Sequence, residues 1–250
     1  MEVHHHSHTA RKKWTHYFWE FLMLFLAVFC GFMAENLREK VVEHHREKEY
    51  AQSLYDDLKV DTAVIQRTMD EKKWITAKFD SALNILSAGT ITNDGYIYYI
   101  ERYVRLTDVF TSQDVTYQQL KSSGNFRYFG DLHLYKELAD YYNLYSRYQS
   151  VDGRFGFTDE NMTGIEAALF NAAELNSLIN ENARTFYEVY NRPEGRRFEP
   201  IVQNKQALKE LFLKIADSRN KASASRGILG WLKTKATELI NTLQKKYHLK

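Results

Sequence analysis

Residues 21–34 read FLMLFLAVFCGFMA, fourteen apolar positions without a break. The solvent assigned to this run decides how everything after it is read. Extending back through Tyr17, Phe18 and Trp19 gives eighteen positions with one charge, Glu20. A helix needs about 20 apolar residues, with a working range of about 17–25, to cross some 30 Å of hydrocarbon. The run therefore stands at the short end of a membrane span, and Phe21 to Ala34 form its apolar body. Trp14, Tyr17 and Trp19 flank it on one side as an interfacial aromatic belt does. The alternative is a buried helix of a soluble core, which has no use for such a belt.

A lipoprotein signal needs a small residue before its cysteine, and Phe29 precedes Cys30. A secretory cleavage site wants small residues at −3 and −1, and Phe32-Met33-Ala34 offers one. The run accordingly reads as a retained signal anchor. Arg11, Lys12 and Lys13 precede it, and the positive-inside bias then leaves residues 1–13 in the cytoplasm and residues 35–250 outside it. In this division residues 1–13 are a His-rich basic tail, 14–34 the span, and 35–250 an extracytoplasmic helical domain. His4, His5, His6 and His8 lie in that tail without partners to orient them, which favours adventitious metal binding over a built site. Glu20 is an ionisable group inside a span and so a candidate functional residue. It stands one turn into the segment, where it reaches headgroups or pairs with a partner helix.

Beyond the span the chain reads as long helices with short polar breaks. From Glu35 to Leu86 there is neither proline nor glycine, and Tyr50, Leu54, Leu58, Ile65, Met69, Phe79, Leu83 and Leu86 recur at helical spacing. If continuous, these 52 residues extend to about 78 Å at about 1.5 Å per residue. Gly89 is suited to close the helix in a left-handed conformation. Further helices are expected over 94–110, 112–122, 131–149, 160–190 and 204–247, with Pro193, Gly195 and Pro200 in the longest irregular stretch. No segment alternates with period two, so the fold class is all-α. The arrangement expected is an antiparallel helical bundle with a long first helix, following one N-terminal transmembrane helix. Most of the 15 Phe, 17 Tyr and 4 Trp are then core and seam, since no basic groups interleave with them as in a base-stacking surface. Nucleic acid is not expected as a partner.

The runs EFLMLFLAVFCGFMAENLREK and EKEYAQSLYDDLKVD, with VTYQQLKSSGNFRYF and LYKELADYY, resemble an uncharacterised family of single-pass, membrane-anchored helical proteins of Gram-negative bacteria, a domain of unknown function. The resemblance covers most of residues 1–145. It implies an envelope location and an α-helical domain, and it brings no activity and no catalytic residues. With residues 35–250 outside the cytoplasm, the expected location is the inner membrane with a periplasmic domain.

Chemistry is sparse in the letters. One cysteine in 250 residues excludes a disulfide framework and a cysteine-based zinc site. Two prolines exclude a proline-rich linker or collagen. No dinucleotide or P-loop glycine pattern, HExxH, GxSxG or EF-hand loop occurs. His44 and His45 point to different helix faces. Glu174 and Glu181, seven apart on one expected helical face, lack the ExxH partners of a di-metal bundle. No metal, cofactor or catalytic residue is assigned.

Three surfaces remain. In Tyr117–Asn125, Gly124 or Asn125 can take positive φ while Ser122 and Ser123 satisfy freed carbonyls, making a helix–turn–helix corner; a small-ligand site is the other reading. Glu35, Glu39, Glu43 and Glu47 form an acidic row just beyond the span, offset in part by Arg38 and Arg46. Residues 214–250 carry nine Lys and Arg against two acids, a net of +7. The apolar face from Ile228 to Leu243 there includes Trp231. Lys245 and Lys246 bring charge toward the acidic row, or the helix rests on anionic lipid with Trp231 at the interface, or the basic face is simply solvated. The overall expectation is a membrane-anchored scaffold or accessory subunit, not an enzyme, with the bilayer and a protein partner or second copy as its contacts. A ligand-sensing bundle signalling through a partner is the alternative, followed by an anchored enzyme of unrecognised type.

Overall fold

The computed structural model describes residues 14–89, 91–106, 109–154 and 160–249, apart from the side chains of 152–154 and 160–161. Among the described residues the α-helices are α1 (Trp14–Ser87), α2 (Asp94–Val104), α3 (Val115–Ser123), α4 (Leu132–Arg154), α5 (Glu160–Leu169), α6 (Ala172–Asn176) and α7 (Lys205–Tyr247). Two 3₁₀ turns, Asn125–Phe129 and Phe186–Glu188, join them. There is no strand among these residues, and one isolated bridge pairs Ile179 with Tyr190. The class is all-α. The chain divides into two compact units, Met1–Tyr50 and Ala51–Lys250.

In the first unit the described residues are one stretch of α1. Its apolar segment is long enough to cross a membrane and none of it is buried. Phe21, Phe25 and Phe29 stack along one face at i,i+4, with ring centroids 6.2 and 6.0 Å apart.

In the second unit α1 buries Ala51, Leu54, Leu58, Asp61, Ile65, Thr68, Lys72, Ile75, Phe79 and Ala82, a stripe stepped by three and four. Each fully buried Leu or Ile there contributes about 1.5–3 kcal/mol. The helix ends where Gly89 turns to φ +74°. On α7, Arg219 meets Asp80 and Lys233 meets Gln66, and Gly230 faces Met69. Position numbers rise in one helix as they fall in the other, so α7 runs antiparallel to this part of α1. α4 packs along α7, starting beside its last turn through Asp131–Lys246 and reaching Asp61 of α1 with Tyr141. α2 doubles back along α1, with Tyr96 Oη donating to the Lys78 carbonyl and Trp74 edge-on to Tyr103.

Four helix boundaries differ from the sequence reading, one of them the end of α4, which runs past Gln149 to Arg154. α2 stops at Val104, not Phe110, because Phe110 is drawn into the core and its N–H donates to the Tyr148 hydroxyl at 3.0 Å. α3 begins at Val115, not Ser112, because Ser112 and Gln113 are held by Asp61. The helix expected over 160–190 ends at Leu169, followed by the short α6 and a long irregular return to Asn204. Asn171 caps α6 by accepting from the N–H groups of Ala173 and Glu174. Asn180 binds the Asn182 N–H and the Glu188 carbonyl, so local side-chain bonds replace helix continuation. Glu174 and Glu181 therefore do not share a helix face.

Candidate functional site

The aromatic flank and apolar body of the span, Trp14, Tyr17, Trp19, Phe21 and Ala34, are all exposed on α1. Glu20 pairs with His16, Nε2 to Oε1 at 3.1 Å, one turn back on the same helix. The histidine cluster at 4–8 and the basic triplet 11–13 lie outside the described residues. In the acidic row, Glu35 is gripped by Arg38, whose Nε donates at 2.9 Å, and this hydrogen bond holds the Glu35 carboxyl below its ordinary value. Glu47 meets His44 at 3.4 Å. Glu39 is exposed and Glu43 half-buried.

The Ser122–Asn125 segment folds as a corner. Gly124 caps α3 at φ +69°, and the Ser122 and Ser123 hydroxyls both donate to the Gln119 carbonyl, at 3.2 and 2.7 Å. Asn125 opens the 3₁₀ turn, Gly130 takes φ +55°, and Asp131 caps α4 by accepting from the N–H groups of His133 and Leu134. The same Asp131 receives Lys246 at 2.9 Å, and Phe129 meets Tyr247 edge-on at 6.2 Å. The structure thus brings the Ser122–Asn125 corner and Lys246 to one end of the second unit, with Lys245 exposed beside them. Trp231 is on the outer side of α7 at 66% exposure, while Leu229, Leu232, Ala236, Leu239 and Leu243 are buried in the core. That apolar face is spent on packing within the second unit, and Trp231 is left on the opposite, exposed side.

Two acid clusters escaped the sequence reading. Asp61, 1% exposed on α1, accepts from the Ser112 and Tyr141 hydroxyls through Oδ2 and from the Gln113 N–H through Oδ1, the last two at 2.6 and 2.8 Å. Burial pushes its carboxyl up, and the three hydrogen bonds act the other way. With both oxygens satisfied, it ties the 109–114 segment and α4 to α1.

The second cluster is less complete. Glu101 on α2 is fully buried, and neither of its oxygens has a donor among the described residues. Beside it on α5 is Glu166, which Arg105 holds at 3.0 Å and Arg102 at 3.6 Å. Glu166 Oε1 and Arg102 Nε are likewise buried without a hydrogen-bond partner. The Arg102 guanidinium stands over the Tyr190 ring at 5.4 Å, and Arg105 Nη2 reaches Thr163 Oγ1 at 3.5 Å. Burial first, then the adjoining Glu166 carboxylate, pushes the Glu101 carboxyl up to about 9, against the pull of the two arginines. A signal for this site existed. Glu101 falls three and four residues after Tyr98 and Ile97, on the inward stripe of a short aromatic helix, where an acid is out of pattern.

Among the described residues no group of three or more His, Cys, Asp or Glu converges as a metal site. A shallow apolar hollow of about 210 Å³ is lined by Leu86, Gly89, Ile91, Gln203, Leu208, Lys209 and Phe212. No protein-family model, no curated protein and no solved structure matches this chain.

Proposed function

We propose that this is a single-pass membrane-anchored protein whose helical second unit works outside the cytoplasm as a docking scaffold or accessory subunit for another protein. The reading rests on one observation above others. The segment of α1 that is apolar and wholly unburied belongs to the same helix that buries a core stripe from Ala51 onward. An anchor that continues without a break into the domain suits a protein held at a bilayer surface. The basic triplet Arg11–Lys13 supports a cytoplasmic amino terminus, and the resemblance to Gram-negative membrane proteins supports the inner membrane and a periplasmic bundle. The His16–Glu20 pair supports an interfacial place for Glu20, within reach of headgroups.

The test is a topology reporter fused after Lys250, combined with purification of the native complex in mild detergent. Activity only outside the cytoplasm and a stoichiometric co-purifying subunit are expected. A reporter active in the cytoplasm overturns the topology. An isolated chain with an active reporter overturns the scaffold role and leaves the anchor standing.

A further inference from the structure

As two carboxylates, Glu101 and Glu166 leave three buried oxygens without a donor, beside an Arg102 Nε without an acceptor. One proton repairs most of this. Placed on Glu101, it turns a buried acceptor into a donor toward Glu166, whose carboxylate the two arginines contact. We propose that Glu101 and Glu166 form a proton-binding clasp that closes α5 onto α2 more tightly as the surrounding compartment acidifies. This is independent of the docking role.

α1 packs on α2 through Trp74 and the Lys78 carbonyl, and brings Lys78, whose Nζ stands over the Trp74 ring. α2 contributes Arg102 and Arg105, and α5 contributes Glu166 and the Thr163 hydroxyl. The return segment contributes Tyr190, whose own phenol is pushed up by burial and stays neutral. α6 brings Glu174, which is occupied by Arg196. α7 packs on both α2 and α5; its Ser218 hydroxyl donates to the Val104 carbonyl at 3.4 Å, and the charged residues nearest to it in sequence are Asp217 and Arg219, the latter paired with Asp80, with Lys214 and Lys221 a turn to either side. Within the clasp, Glu101 is the group that burial and the neighbouring carboxylate push toward its protonated form.

The sign follows from linkage. An opened α5 exposes Glu101 to water, where its ordinary value is 4.5, against about 9 in the closed form. Between these values the closed form carries one more proton, so closure weakens as pH rises, by up to about tenfold per unit. Below the ordinary value the full stabilisation is present, and above about 9 it is gone.

The experiment compares the full chain in detergent micelles with Glu101→Gln, whose neutral amide resembles the protonated acid in shape and donates to Glu166. Unfolding equilibria are measured from pH 5.5 to 8.5. The wild type is expected to lose folded-to-unfolded ratio by up to about tenfold per unit relative to the variant. Parallel profiles for the two proteins overturn the proposal. If Glu101→Gln does not fold, infrared spectra of the wild type decide: a protonated-carboxyl band at pH 7 that vanishes near pH 9 supports the clasp, and its absence at pH 7 refutes it. Magnesium or calcium added at pH 7 is expected to leave wild-type stability unchanged. Stabilisation by either ion in the wild type and not in the variant identifies a cation site and overturns the proton reading.

Discussion

Replacing Asp61 with alanine removes the acceptor of three hydrogen bonds at a residue 1% exposed. The Ser112 and Tyr141 hydroxyls are enclosed, and the backbone Gln113 N–H, in a part-buried bond, cannot turn away. A buried donor left without a partner costs about 1–3 kcal/mol. Two such donors and a third that is part-buried, partly relieved by hydroxyl rotation, give a loss of about 3–5 kcal/mol. That is a large share of the roughly 5–15 kcal/mol that holds a domain folded. Asp61→Asn is the informative companion. Its carbonyl oxygen keeps the Gln113 N–H, while its amide donates to the two hydroxyls, which rotate to accept, so about 1–2 kcal/mol is expected. Denaturant unfolding of the full chain in mild detergent, followed by near-ultraviolet circular dichroism, measures both. An alanine variant within 1 kcal/mol of wild type, or an asparagine variant as damaged as alanine, would refute the account of Asp61 as the acceptor that joins α1, α4 and the 109–114 segment.

Gly95→Ala should loosen the return segment, since a methyl there meets Phe198 at 2.8 Å and Pro193 at 3.2 Å. Faster proteolysis within residues 177–204, with α1 and α7 intact, is the expected readout. Asp131→Ala should cost about 1–2 kcal/mol through loss of the α4 cap, and Lys246→Ala under 1 kcal/mol because that pair is partly exposed. The Lys246 hydrogen bond, then backbone N–H bonds, lower the Asp131 carboxyl. Its contribution is therefore present above the ordinary 3.8 and is lost as pH falls through its lowered folded value, which acid unfolding of Asp131→Asn against wild type checks.

The long helices were legible because periodicity and the lack of breakers act over many residues at once. Leu54, Leu58, Ile65 and Phe79 repeat the core contact of α1, and Leu229, Leu232, Ala236 and Leu239 do so for α7. Gly124 and the two serines before it were legible because a left-handed stop is a local property. The stretch after Leu169 was not. Its apolar content fits a helix, and only the capping of Asn171 and the turn bonds of Asn180 divert it, together with ring contacts of Tyr190 to Tyr103 that no local pattern announces. Glu101 and Asp61 lay at readable positions. Their partners stand 65 and 51–80 residues away, and proximity at that range is a product of packing.

The opposed register of α1 and α7 has a mechanical consequence. Followed to its end, it brings Tyr247 level with Gln52, so the start of α1 within the second unit and the end of α7 lie at one end. A pull between those two points peels the helix pair apart turn by turn from Leu243 and Leu54 inward. It does not load all the interhelical contacts at once, as a pull along opposed ends would. The clamp of Lys246 on Asp131 and the Phe129–Tyr247 contact stand at the point where such peeling begins. A pull between those two points is therefore met first by the last turn of α7 and not by the core behind it.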